Sequence, residues 1–151
     1  MEDIYKTPES SLENGSKESA HDYQLFKISG IGIATFFGSL LAGGFLLARN
    51  FKNLGNEAAA KKALIYSAIA TVAVFAIALL IPEDVNIPNL VFTIPQIIVI
   101  VQIAKQQQGN AIARHVEAGG QLASDWKAFG ISLLVLLVVM AIFVPVAMLF
   151  V

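Results

Sequence analysis

Four long apolar runs separated by short polar stretches dominate the chain. The first occupies about Ile28 to Ala48, which at 1.5 Å per residue covers about 31 Å and matches a hydrocarbon core of about 30 Å. The second, "ALIYSAIATVAVFAIALLI" from Ala63 to Ile81, is preceded by Lys61 and Lys62 and closed by Pro82. The fourth, from Ala128 onward, starts behind "SDWK", with Ser124 or Asp125 as the N-cap and Trp126 and Lys127 as an interfacial anchor. The third, "NIPNLVFTIPQIIVIVQIAKQQQ", carries Pro88 and Pro95. A helix begun at Pro95 is too short to cross. One begun at Pro88, where proline suits the first helical position, is long enough but holds Pro95 inside, which removes a backbone bond and kinks the helix. The expected fold is therefore all-α: a bundle of four transmembrane helices at about 28–48, 63–81, 88–105 and 128–150, the third kinked at proline or re-entrant. A disordered acidic tail over 1–22 precedes the helical domain of 23–151.

Within the first run, "ATFFGSLLAGGFLLARN" spends seven of its seventeen positions on Gly, Ala or Ser. Gly30, Ala34, Gly38 and Ala42 recur every fourth residue, and Thr35, Ser39 and Gly43 form a neighbouring row. Burying apolar surface between helices gives little driving force in lipid, so rows of small residues serve close backbone approach. This face is expected to pack against the other spans or against a second copy, with Gly44 off the row and tolerant of alanine. Arg49 and Asn50 read as the exit into water.

Composition agrees with a membrane setting. Hydrophobic residues make up 56% of the 151, charged residues only 14%, and mean hydropathy is +0.70, whereas an ordinary soluble domain is about 25% charged. Six of the eleven acidic residues fall in the first 22 positions. That stretch has no basic segment leading into an apolar core, so it is not read as a cleavable signal peptide, and its scattered apolar residues bury too little surface to order it. Ile4, Tyr5 and Pro8 are its one candidate docking peptide. If all four runs cross, seven basic residues lie on the side of 49–62 and 105–127, against Lys6, Lys17 and Lys27 on the other. The excess of basic residues assigns the first side to the cytoplasm and both termini to the exterior. A re-entrant third segment would reverse that balance.

Candidate chemistry is sparse. No run places an ionisable residue near its middle, where one would mark a proton relay or coupling-ion site. Gln96 and Gln102, the polar residues around Pro95, are expected to bond to neighbouring helices or to the backbone that the proline frees. The connection "NAIARHVEAGGQLASDWK" is the best place for a site: His115, Glu117, Trp126 and Lys127 cluster there, and Asn110 reads as the cap of a short amphipathic helix stopped by Gly119 and Gly120. It holds no nucleophile motif and no metal-ligand spacing such as H-E-x-x-H, so neither a catalytic group nor a metal or cofactor is expected. There is no cysteine and no basic patch for nucleic acid.

The run "ATFFGSLLAGGFLLARNFKNLG", the Ala-rich "NEAAAKKAL" and "QQQGNAIARHVEAGGQLASDWKAFGI" together resemble a widespread group of small uncharacterised bacterial inner-membrane proteins. The resemblance covers about Lys27 to Leu133. It implies a multi-pass protein of the bacterial inner membrane and no activity. The expected role is non-enzymatic, acting through helix packing with itself or with a membrane-protein partner in the bilayer. The alternative is an oligomeric facilitator or channel for a small solute.

Overall fold

The computed structural model describes residues 22–149 apart from Glu83. The tail assigned to disorder, with Ile4, Tyr5 and Pro8, lies outside the described residues but for its last position. Four helices account for nearly all of the rest: α1 (Ile28–Asn53), α2 (Glu57–Leu79), α3 (Leu90–Glu117) and α4 (Asp125–Met148). All four are long and apolar enough to cross a membrane, by length and composition. Two short strands, β1 (Leu25–Phe26) and β2 (Leu122–Ala123), pair in parallel, with Leu25 beside Leu122 and Phe26 beside Ala123.

The first helix departs from expectation. As one straight rod its 26 residues would measure about 39 Å, yet the Phe26 backbone just before it touches the Asn50 side chain near its far end, at 2.7 and 2.9 Å. Both facts hold because the chain reverses at Ser39, whose φ of 70° and ψ of 179° are not helical. One arm runs from Ile28 to Gly38, about 17 Å, and a second returns from Leu40 to Asn53, about 21 Å. The small residues make this possible. A Cβ on Gly43 would collide with the Thr35 hydroxyl on the opposite arm, and one on Gly38 would lie 2.5 Å from the Ala42 Cβ. A single crossing over 28–48 is thus replaced by a helical hairpin with both ends at one end of the bundle. Re-entry, expected of the third segment, belongs to the first.

The other three helices close around this hairpin. The first arm lies along α4: a Cβ on Gly30 would sit 3.3 Å from that of Ala128, and one on Gly38 would sit 2.7 Å from the Ser132 carbonyl. Gly32 faces Val101 of α3, Gly43 also faces Ile100, and Gly44 faces Ser67 of α2. Gly44 is accordingly not the open position that the sequence pattern implied, because an added methyl meets Ser67. Ala34 and Ala42 are fully buried. The outer helices also turn small residues inward, Ala60, Ser67 and Thr71 on α2, and Ala128 and Ser132 on α4. Beyond the hairpin tip, Phe75 of α2 stacks on Phe143 of α4 with ring centroids 4.1 Å apart.

Helix ends follow local chemistry. Gly55, at φ 79°, terminates α1 in a left-handed turn in which Asn56 N–H reaches the Phe51 carbonyl at 2.8 Å, and Asn56 then caps α2 by accepting from Ala59 N–H at 3.0 Å. Gly119, at φ 82°, ends α3 in the same manner, and Ser124 caps α4. α3 runs unbroken through Pro95 and Asn110 to Glu117, so Asn110 caps no separate helix. The Gln96 side chain donates to the Phe92 carbonyl of its own helix at 2.9 Å, and Gln102 is exposed.

The Ser39 conformation lies in a region of backbone space that is essentially reserved for glycine and costs on the order of 1–3 kcal/mol elsewhere. Ser39→Gly should therefore raise the thermal midpoint of the detergent-solubilised protein, read by size-exclusion after heating. Gly38→Leu should abolish the folded peak by driving a side chain into Ser132 and Ala42. Gly109→Ala, with open space around it, should leave the protein as stable or slightly more so.

Candidate functional site at the polar end of the bundle

The hairpin brings to one end of the bundle the residues leading into α1, the end of α1, the end of α3, β2 and the start of α4. At the centre of this end are two fully buried amides, Asn50 and Gln108. Asn50 accepts from Phe26 N–H at 2.7 Å and donates to Phe26 C=O at 2.9 Å, so its side chain pairs with that residue as a neighbouring strand would. It also donates to Gln108 Oε1 at 3.0 Å, and Gln108 Nε2 donates to the Leu47 carbonyl at 2.8 Å. Four polar groups are thereby satisfied out of water, where each would otherwise cost about 1–3 kcal/mol. Asn50 is the latch of the hairpin and not, as the sequence pattern implied, its exit into water.

Around this latch lies a wetter layer. Asn53 donates to the Gln24 carbonyl at 3.0 Å, Gln24 Nε2 to Gln121 Oε1 at 3.3 Å, and Lys127 Nζ to Gln24 Oε1 at 3.2 Å. Lys27 and Asp125 form an ion pair at 3.6 Å that is about two-fifths exposed on both sides, and Ser29 donates to the same carboxylate at 3.3 Å. Exposed pairs of this kind contribute little, with a median of about 0–1 kcal/mol. Tyr23, Gln24, Arg49, Asn53, Gln121 and Lys127 line a polar cavity of about 520 Å³ that opens at this end.

The residues singled out in the sequence are distributed unevenly over this site. His115 is buried, stacks on Tyr23 with centroids 5.1 Å apart, and has Nε2 3.0 Å from the Gln121 carbonyl. A carbonyl only accepts, so Nε2 carries the proton in that bond. Lys127 lines the cavity. Glu117 is exposed, and Trp126 stands 81% exposed at the start of α4 with its ring edge-on to Phe129. His115, Glu117 and Asp125 do not form one acid-base group, since Asp125 is engaged by Lys27 and Ser29 and His115 by Gln121. Among the described residues no three His, Asp or Glu side chains gather closely enough to hold a metal ion.

Sequence reasoning missed Asn50, Gln108, Gln24 and Gln121. A signal for Gln108 was present. Ile100, Ala104, Gln108, Ile112 and His115 recur at spacings of four and three and form the buried stripe of α3, so of the three consecutive glutamines only Gln108 is in register with the core. Gln106 and Gln107 are exposed.

Compared with protein-family profiles, with curated proteins and with solved structures, the chain matches none. The resemblance to a bacterial inner-membrane group rests on the quoted residues alone.

The two amides make a direct test. Asn50→Ala should leave the Phe26 N–H and C=O and one side of Gln108 without partners, a loss of several kcal/mol at about 1–3 kcal/mol per group. Gln108→Ala should also destabilise strongly, whereas Gln106→Ala should stay within about 0.5 kcal/mol of the parent, as surface changes do. Denaturant titration in detergent, followed by tryptophan fluorescence at Trp126, reads all three.

Proposed function

We propose that the chain is a non-enzymatic, multi-pass protein of the bacterial inner membrane. Three spans enclose a re-entrant hairpin, and the polar end is the surface on which a membrane-protein partner docks. The observation that carries this reading is the convergence of the polar cavity, the exposed Trp126 and the basic side chains at one end, while the small-residue rows of α1 are spent inside the chain. Gly30, Gly38 and Gly43 face the protein's own α4, second arm and α3, so association with a partner is assigned to the polar end instead.

Orientation follows from charge. With α1 folded back, all ten lysines and arginines attach to the polar end, counting Lys6 and Lys17 of the preceding tail, and none to the connection between α2 and α3. Ten against none favours a cytoplasmic polar end far more strongly than the seven against three of four crossings. The N-terminal tail is then cytoplasmic and the end of α4 external. This replaces the expectation of two external termini.

A second reading, an oligomeric facilitator for a small solute, draws on the break at Ser39 halfway through the apolar bundle. Discontinuous helices offer backbone groups to solutes when they line a cavity. The covering of Gly38 by Ser132 and Ala42 weighs against it, because the reversal is packed against protein.

The natural chain has no cysteine, so single cysteines at Ser10, Asn86 and Gly119 report sidedness cleanly. An impermeant maleimide applied to intact cells should label Asn86→Cys and spare the other two until the membrane is opened. Labelling of Ser10→Cys from outside together with protection of Gly119→Cys would show that α1 crosses. For the docking role, a photocrosslinking residue at Arg49 should give one stoichiometric adduct with another membrane protein. The same residue at Val72, on the exposed side of α2, should give none. Equal yields from both positions, or none from either, would remove the docking assignment, and solute flux in vesicles would then test the facilitator.

A further inference from the structure

A second cavity, of about 310 Å³, opens between α2 and α3 over the returning arm of α1. Its floor is apolar, with Leu40, Leu47, Ala63, Ala70, Ile100 and Ile103 among the lining residues. Its character changes along its length. On α2 the lining runs from Ala59 and Lys62 through Tyr66 to Ala70, and on α3 from Gln107 back to Val99, so the apolar part is about 12 Å long on each helix. Lys62 and Gln107 stand at the polar end of the bundle, where α2 begins and α3 leaves the apolar zone. Lys62 is the one charged residue in the lining, which contains no carboxylate. Tyr66, 67% exposed and one turn from Lys62, sits where an aromatic ring with a polar tip meets a headgroup layer.

An apolar slot that starts at a lone cation and runs inward along two helices has the chemistry of a lipid lying parallel to them. The geometry points to an anionic phospholipid of the leaflet on the polar side, one acyl chain in the cleft between α2 and α3 and its phosphate against the Lys62 ammonium. The Gln107 amide and the Tyr66 hydroxyl supply further donors to the phosphate or glycerol oxygens. The lipid would cover Leu40, Leu47 and Ile100 on a side where α2 and α3 do not close over the hairpin. This inference rests on the membrane setting proposed above and is independent of the partner at the polar end.

The test begins with membrane fractionation of the expressed full chain. Recovery in the soluble fraction would refute the membrane setting itself, separately from the lipid. Protein reconstituted in vesicles of equal phosphatidylglycerol and phosphatidylcholine is then extracted in mild detergent and weighed by native mass spectrometry. The parent should retain one lipid, enriched about fivefold in phosphatidylglycerol, the worth of one lysine beside an anionic headgroup. Lys62→Gln should lose the enrichment while Lys61→Gln keeps it. Val99→Trp, at a half-exposed position lining the cleft, should lose the retained lipid, and Val72→Trp, outside the cleft, should not. Elution volume on size exclusion confirms that each variant is folded, and a variant that aggregates is replaced by Val99→Phe or Lys62→Ala with the same expectation. Absence of retained lipid, equal retention of the two headgroups by the parent, or equal losses in Lys61→Gln and Lys62→Gln would overturn the proposal.

Discussion

A chain that turns back inside an apolar bundle must satisfy, with its own atoms, every backbone group the turn releases. That constraint organises this protein. In water a reversal of this kind is trivial, because solvent supplies the missing bonds. Among apolar helices an unsatisfied amide costs several kcal/mol, so the reversal persists only if it is sheltered and its two ends are held together. Shelter comes from α4, whose Ser132 carbonyl lies against Gly38. The ends are held by Asn50, which treats Phe26 as a strand partner and passes its remaining hydrogen to Gln108.

The small residues follow from the same constraint. Two arms that fold on each other and are then enclosed by three helices have no lipid-facing side wide enough for a full set of large side chains. Glycines 30, 32, 38, 43 and 44 each meet a different neighbour, and the rows that resemble a single association face are in fact contact points distributed around the hairpin. The large residues are left where the enclosure is incomplete. Phe36, Phe37 and Phe45 remain at least a third exposed, while Phe37 edges against Phe129 at 4.9 Å.

The apolar elements and their approximate positions were legible in the sequence, as were the Gly55 and Gly119 stops and the Ser124 cap. The direction of the first element was not. Twenty-one apolar residues fit one crossing as well as two half-depth arms, because hydropathy measures length and carries no sign. What pointed to the reversal was the presence of two adjacent small rows on one helix, Gly30 to Ala42 and Thr35 to Gly43, more than a single partner requires. The site was less legible still. Asn50 sits next to Arg49 and reads as a boundary, and Gln108 sits among other glutamines; both are identified only by register with residues that are remote in the chain. Gln24 and Gln121 join the polar end through the pairing of β1 with β2, two strands of two residues each, too short to leave a periodic signal.

The hairpin also imposes an order in time. Synthesis delivers α1 before any of the helices that enclose it, and the Gln108 amide that completes its latch is made 58 residues after Asn50. During that interval Asn50 can pair with Phe26 but not with α3, and the glycine-lined surfaces have no helix to receive them. The innermost element of the finished protein is thus the first to leave the ribosome and the last to find its surroundings. Its burial is an event of assembly, completed only when α4, whose Ser132 covers the turn, has been inserted.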